Sequence, residues 1–290
     1  MDLLLDSRFL KRLEQLELVI RGRYYGLLSG RRTTPRAGMS LEFAEYKEYH
    51  PGDDLRYVDW NLYGRLGKLF IKVFTREEDV PVYLLLDISR SMEIGGKLRA
   101  AAQLAGALAY LALKDLNRVG IFPFAGDLVR GVPPRGGHRQ VFEVFRFLQG
   151  VRPSGETSLN ASLRRFVRVR RESGLAVLIS DMLSDDGFEE GLAQLLYHRY
   201  EPVVIHLLAP EDLKPSWQGE LRLEDVEKRR ELPLYVDREA RARYAQALRE
   251  YQRRLETYCR AHDIRYVLLS SGEPLEELVF HALREGAILR

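Results

Sequence analysis

An aspartate and two serines follow one of the most apolar stretches of the chain, at alternate positions. Asp87, Ser89 and Ser91 come directly after the apolar residues 80–86, in the string LLLDISRSM. Alternate residues of an extended segment point the same way, so these three side chains can face one point together. Carboxylate and hydroxyl oxygens suit a hard divalent ion such as Mg²⁺. The spacing therefore predicts a metal site.

Two further oxygen donors occur at comparable places in the sequence. Asp181 follows the apolar run LAVLIS, and Thr157 lies in the polar string SGETSLNASL at the start of a helical pattern. Ligands of open parallel sheets bind at the carboxyl ends of the strands, so all five residues converge if the two strands are neighbours. Aspartate and serine also favour turns and helix N-caps, which is the structural alternative for the same residues.

The elements that must position these residues alternate over residues 80–290. The apolar runs are VPVYLLLD, RVGIFPF, LAVLISD, PVVIHLLA and IRYVLLS, and helical patterns cover residues 97–116, 138–150, 158–171, 188–199, 238–262 and 275–285. Two consecutive prolines restrict the segment DLVRGVPP to a sheet edge. Near-continuous apolar strands separated by helices are typical of a sheet covered on both faces. We therefore predict an α/β fold, with a doubly wound, mostly parallel sheet flanked by helices.

The first 79 residues have a different pattern. Residues 9–20 are helical in pattern, and the strings MSLEFAEYKEY and KLFIKVF alternate as strands do. We predict a helix plus a small β-rich subdomain over residues 1–79, followed by the α/β domain over residues 80–290.

The string HPGDDLRYVDW joins the two strand-like segments of the subdomain. It carries Asp53, Asp54, Arg56, Asp59 and Trp60. These residues could form a second acidic site or a loop that docks a partner. We favour a Pro-Gly turn fixed by Arg–carboxylate hydrogen bonds, with the tryptophan packed underneath. In that interpretation Asp54, Arg56 and Asp59 hold the subdomain to the α/β part.

Composition narrows the possible functions. The 290 residues are 46% hydrophobic and 30% charged, with a net charge of +3, as in ordinary globular proteins. The single cysteine excludes an intramolecular disulfide and a cysteine zinc site. No stretch approaches the 18 apolar residues of a membrane span, and we expect a cytoplasmic protein.

Between Arg21 and Arg36 lie five arginines, two tyrosines and no acids. This segment could bind single-stranded nucleic acid, although a solvated connector is favoured.

The motifs together resemble a known family. Asp-x-Ser-x-Ser, a threonine loop and a later aspartate are similar to the metal-ion-dependent adhesion site of the von Willebrand factor A fold. The strings GMSLEFAEYKEYHPGDDLRYVDW and GRLGKLFIKVFTREED resemble the bacterial domain of unknown function 58 family, in which such a segment precedes a von Willebrand A-like domain. The resemblance covers the chain from about Arg31 onward. Many relatives look membrane-anchored through N-terminal hydrophobic helices, which this sequence lacks.

The resemblance implies a non-enzymatic, metal-dependent module for protein interaction. Mg²⁺, with Mn²⁺ or Ca²⁺ as possible substitutes, would be held by Asp87, Ser89, Ser91, Thr157 and Asp181. The partner would be a protein that supplies a carboxylate, and the gene neighbourhoods of the family suggest a MoxR-type AAA+ ATPase. Two alternatives remain open: a metal-dependent phosphoester hydrolase, and a nucleic-acid binder that uses the segment from Arg21 to Arg36.

Overall fold

The computed structural model describes residue 11 and residues 41–51, 54–76, 81–115, 117–225 and 230–286. Of the described residues, those within residues 26–79 form one compact unit, and Lys11 and those within residues 80–289 form the other. Apart from Lys11, the helix predicted over residues 9–20 lies outside the described residues. The arginine segment between Arg21 and Arg36 and Asp53 also lie outside them. The predicted division into residues 1–79 and 80–290 stays a prediction.

The small unit is built on an antiparallel pair of strands. Strand β1 (Leu41–Glu48) pairs with β2 (Phe70–Arg76), as the alternating pattern predicted. A short 3-10 turn at Leu55–Tyr57 and helix α1 (Trp60–Leu66) lie between them. Helix α1 was not predicted from the sequence. The helix ends at Gly67, whose φ of 67° is readily adopted by glycine.

The large unit contains a six-stranded sheet. Its strands are β3 (Pro81–Asp87), β4 (Arg118–Phe124), β5 (Val132–Arg135), β6 (Leu175–Ser180), β7 (Glu201–Leu208) and β10 (Arg265–Ser270). Their order across the sheet is β10-β7-β6-β3-β4-β5. All neighbours are parallel except β5, which pairs antiparallel with β4 at one edge. The predicted mostly parallel sheet is confirmed, and the proline-containing segment forms its edge strand.

Helices cover both faces of this sheet, as predicted. One face packs against α2 (Lys97–Lys114), α3 (His138–Gly150) and α8 (Leu275–Gly286). The other packs against α4 (Leu159–Val169), α5 (Glu189–Tyr197) and α7 (Arg238–Ala261). A short helix, α6 (Pro210–Leu213), follows β7. A hairpin of β8 (Gly219–Asp225) and β9 (Arg230–Val236) precedes α7, and the sequence analysis did not predict it.

An aromatic cluster fixes the second face of the sheet. The rings of Tyr83, Phe122, Phe166 and Tyr200 have neighbouring centroids 5.3–5.7 Å apart. The Tyr83 hydroxyl donates to the carbonyl oxygen of Glu172 at 2.8 Å. Large rings that are buried in tilted and edge-on contact contribute heavily to a core. This packing therefore holds β3, β4 and α4 in a fixed relation.

We expect Phe166→Ala to lower the free energy of unfolding by about 3–5 kcal/mol, because it leaves a cavity inside the aromatic cluster. Urea denaturation followed by circular dichroism measures the change. Phe142→Ala is the matched control, because Phe142 lies on α3 with 59% of its surface exposed. A loss of stability no larger than that of the control would contradict the assigned packing.

Candidate functional site

The sheet has a topological switch point between β3 and β6. From β3 the chain continues to β4 on one side and returns later to β6 on the other. The two central strands are in parallel register, with Leu86 beside Ile179. Asp87 ends β3 and Asp181 follows β6, and both side chains are fully buried. The condition that the two strands are neighbours is therefore met. Crevices at such points are where open α/β sheets bind ligands.

The loop after β3 gathers hydroxyl groups around Asp87. The Ser89 N–H donates to Asp87 Oδ1 at 2.9 Å, and the Ser180 hydroxyl donates to Asp87 Oδ2 at 2.6 Å. The hydroxyl oxygens of Ser89 and Ser91 are 2.9 Å apart. The alternation of Asp87, Ser89 and Ser91 therefore brings their polar atoms into one hydrogen-bonded group.

The threonine loop is tied to its neighbours by backbone and side-chain hydrogen bonds. Arg90 N–H donates to the Gly155 carbonyl at 3.2 Å, and Ser154 N–H donates to the Ile88 carbonyl at 2.7 Å. From the side of β6, the Ser184 hydroxyl donates to the carbonyl of Thr157 at 3.3 Å. The Thr157 side chain is buried. The five residues singled out in the sequence thus lie on three interconnected loops.

The two carboxylates influence each other electrostatically. Burial, followed by the nearby negative charge of Asp181, raises the pKa of Asp87 to about 7. Asp181 is compensated differently, because its Oδ2 accepts from Lys97 Nζ at 2.7 Å and its Oδ1 from the Leu183 N–H at 3.1 Å. Burial alone would lower the pKa of Lys97, but Asp181 and then Asp212 raise it above its usual value. Lys97 is therefore a buried cation inside the site.

Three residues of this network were not predicted from the sequence. Ser180 is the last residue of β6, and Lys97 is the first residue of α2. Asp212 lies on α6, just after the end of β7, with its Oδ2 3.3 Å from Lys97 Nζ. Asp212 comes three residues after the third apolar run, PVVIHLLA, so attention to the residue directly after each run does not find it.

The donor set matches the chemistry of a hard divalent cation. Asp87 and Asp181 are adjacent buried carboxylates, and such a pair is stabilised by a positive charge. Each carboxylate oxygen has two lone pairs, so the hydrogen bonds described above leave room for coordination. Among the described residues, no three His, Cys, Asp or Glu side chains are grouped so that they could hold a metal ion. The residues that fit are two carboxylates supplemented by hydroxyls.

Asp186 has a structural role at this edge of the sheet. Its Oδ1 accepts from the Leu159 N–H at 3.1 Å, and its Oδ2 accepts from the Ala161 N–H at 3.3 Å and the Ser158 hydroxyl at 2.9 Å. Burial alone would raise its pKa, but hydrogen bonds from Ser184 and these neighbours lower it. Asp186 therefore caps the first turn of α4 from a separate loop, as an ionised carboxylate.

His206 is buried on β7, beside Ser180 of β6. Its Nδ1 is 2.8 Å from the Tyr266 hydroxyl. Burial lowers the pKa of His206 to about 4. The imidazole is therefore neutral at pH 7 and adds no positive charge to the site.

The Pro-Gly-Asp-Asp segment differs in part from expectation. Arg56 bonds the Asp54 carboxylate at 2.6 Å, so the predicted Arg–carboxylate hydrogen bond is confirmed. Asp59 accepts from Lys72 Nζ at 2.9 Å, which is the main reason that its pKa is lowered to about 2. Asp59 also caps α1 through the N–H groups of its first turn. The predicted packing of Trp60 is wrong, because 63% of its surface is exposed. Trp60 is the first residue of α1, a helix that was not predicted from the sequence.

The large unit is a mixed α/β structure whose mostly parallel sheet carries an oxygen-rich cluster at its switch point. The chain belongs to the family described as protein of unknown function DUF58, whose model matches residues 45–254.

Relatives of this chain include the uncharacterised protein Rv1480 of Mycobacterium tuberculosis. It is 27% identical over 229 residues, which cover 77% of this chain and 72% of that protein. Similar solved structures are an aerotolerance-related membrane protein from Bacteroides fragilis and the conserved hypothetical protein BatB from Bacteroides thetaiotaomicron. Each has a TM-score of 0.45 and 16% identity, over 72% of this chain and 98% of the other. In the part of this chain that the structure describes, none of the helices has the length and apolar character needed to span a membrane.

The stability of the metal-free protein is expected to depend on pH through Asp87. The carboxyl has an ordinary pKa of 3.8 and a folded-state pKa of about 7, so the folded state binds the extra proton between these values. Ionisation therefore destabilises the wild-type fold as the pH rises from about 4 to 7, whereas Asp87→Asn cannot ionise. The variant should gain roughly 1–4 kcal/mol over wild type across this range, at about 1.4 kcal/mol per unit of pKa. Urea denaturation in EDTA at several pH values measures this difference, and a difference independent of pH would contradict it.

Proposed function

We propose that the switch-point cluster is a metal-dependent protein-interaction site, as in a von Willebrand A-like adhesion site. The observation that carries the proposal is the pair of adjacent buried carboxylates, Asp87 and Asp181, with the hydroxyls of Ser89 and Ser91 beside them. Asp87, Ser89, Ser91, Thr157 and Asp181 would hold Mg²⁺, or Mn²⁺ or Ca²⁺ in its place. When bound, the ion would supply a positive charge that attracts a carboxylate of another protein.

The number of donors supports a partner that brings its own oxygen ligand. Mg²⁺ prefers six oxygen ligands in near-octahedral geometry. The five side chains contribute only two formal negative charges, and Lys97 already pairs with one of them. A glutamate or aspartate of a partner would add both the missing ligand and a negative charge.

The surroundings of the cluster suit contact with a protein surface. Ile94 lies in the loop that follows Ser91, and 43% of its surface is exposed. Leu183 follows Asp181 after one residue, and 44% of its surface is exposed. Exposed apolar side chains beside a polar centre can supply contact area while the centre supplies specificity. The partner segment would therefore carry an acidic residue with apolar neighbours.

The resemblance of the motifs to the domain of unknown function 58 family suggests a MoxR-type AAA+ ATPase as the partner. In this proposal the chain is an accessory or adaptor protein of that ATPase. Because such an ATPase works where ATP is supplied, the proposal also puts the chain in the cytoplasm.

Binding is proposed rather than catalysis because two nearby candidates for acid–base chemistry, Asp186 and His206, are committed to other roles. Asp186 caps α4 through its hydrogen bonds, and His206 is buried and neutral. A hydrolase would need a group positioned to move a proton at the reacting atom. The buried ammonium of Lys97 is held by two carboxylates, which favours its charged form.

We expect Asp87→Ala to abolish one-site binding of Mg²⁺ and Mn²⁺ by the metal-stripped protein, because it removes one of the two ligand carboxylates. Calorimetric titration measures this loss. Asp127→Ala is the control, because Asp127 is an exposed carboxylate that follows β4 at the same edge of the sheet. Binding that survives in Asp87→Ala, or that is lost equally in Asp127→Ala, would contradict the proposed site.

A further inference from the structure

Lys97 is deeply buried at the carboxyl edge of the sheet, where 2% of its surface is exposed. Gly95 and Gly96 precede it with φ values of 58° and 70°, a conformation that favours glycine. A Cβ on Gly95 would lie 2.3 Å from that of Ala209, so the loop packs closely against the end of β7. This turn starts α2 directly beside the cluster, with Lys97 as its first residue.

The ammonium group of Lys97 lies between two carboxylates that differ in their exposure to solvent. Its Nζ is 2.7 Å from Oδ2 of Asp181, which is fully buried, and 3.3 Å from Oδ2 of Asp212, which is 17% exposed. Asp212 Oδ2 also accepts from the Ala209 N–H at 2.9 Å, which holds this carboxylate in place. Lys97 thus shares its charge between a proposed metal ligand and a second acid outside the predicted set.

A fixed positive charge at this position opposes the binding of a divalent cation in two ways. It occupies one oxygen of Asp181, and it repels a second cation across a short distance in a poorly hydrated interior. Asp212 weakens this competition, because it forms a second ion pair with Lys97 and so weakens the pairing of Lys97 with Asp181. The affinity of the cluster for metal therefore depends on the balance between Lys97 and Asp212.

We infer that Lys97 is a built-in competitor that keeps the resting affinity for the divalent ion low, so that tight metal binding requires the partner's carboxylate. The inference rests on the proposed function, because it concerns the same cluster. It adds that binding of the ion and binding of the partner are coupled. The partner's negative charge offsets the positive charge of Lys97, so the ion and the partner bind cooperatively. The protein would therefore bind its partner tightly only when the divalent ion is also present.

The test is calorimetric titration of Mn²⁺ alone into metal-stripped wild type and three variants. Lys97→Met should bind Mn²⁺ at least about tenfold more tightly than wild type, because a buried competing charge has been removed. Asp212→Asn should bind at least about threefold more weakly, because Lys97 then pairs with Asp181 alone. Lys114→Met, at the other end of the same helix, makes the same change in net charge and should leave the affinity unchanged.

The direction of the change separates this role from a structural one. If Lys97 merely positions Asp181, Lys97→Met binds Mn²⁺ with wild-type or weaker affinity, and the inference is overturned. If Lys97→Met does not fold by circular dichroism, Asp212→Asn decides alone, and an unchanged or higher affinity overturns the inference.

A failure of the proposed function gives results that differ from a failure of the inference alone. It is shown by the absence of Mn²⁺ binding in both wild type and Lys97→Met, or by binding that persists in Asp87→Ala; either result also overturns the inference. Binding in Lys97→Met but not in wild type supports both.

Discussion

Two carboxylates buried side by side are the constraint around which the carboxyl edge of the sheet is organised. Asp87 ends β3 and Asp181 directly follows the neighbouring parallel strand β6, and neither is hydrated as in bulk water. Two negative charges cannot be brought together in a protein interior without compensation. The structure supplies it in unequal parts: hydroxyl and N–H donors to Asp87, and an ammonium group to Asp181. Because Asp181 already has a cationic partner and Asp87 has only hydroxyl and N–H donors, an added cation would stabilise the Asp87 carboxylate more.

Other elements of the large unit hold Asp87 and Asp181 in position. Parallel pairing of β3 with β6 fixes the separation of the two strand ends, and the aromatic cluster around Tyr83 fixes β3 against α4. The cap that Asp186 places on α4 connects the loop after β6 to the threonine loop. Because these loops are hydrogen-bonded to one another, the donor atoms are positioned before any ligand arrives, which lowers the entropic cost of binding.

Most of the sheet could be predicted from the sequence, because strands buried on both faces must be apolar along their whole length. Helix α1 could not, since it has only seven residues and its cap, Asp59, resembled a member of an acidic cluster. The β8–β9 hairpin was missed although β8, GELRLED, alternates charged and apolar residues, which is the pattern that predicted β1 and β2. Lys97 was missed for a different reason: a lone lysine at the start of a helix is typical of a solvated position, and only the three-dimensional path of the chain buries it.

The central claim is that the oxygen atoms at the switch point bind a divalent cation. Anomalous X-ray diffraction from crystals of the protein grown with Mn²⁺ tests this claim most directly. The account predicts one strong anomalous peak within coordination distance of Asp87 and the hydroxyls of Ser89 and Ser91, and its absence from crystals of Asp87→Ala. Crystals without a peak there, or with manganese only elsewhere on the molecule, would contradict the account.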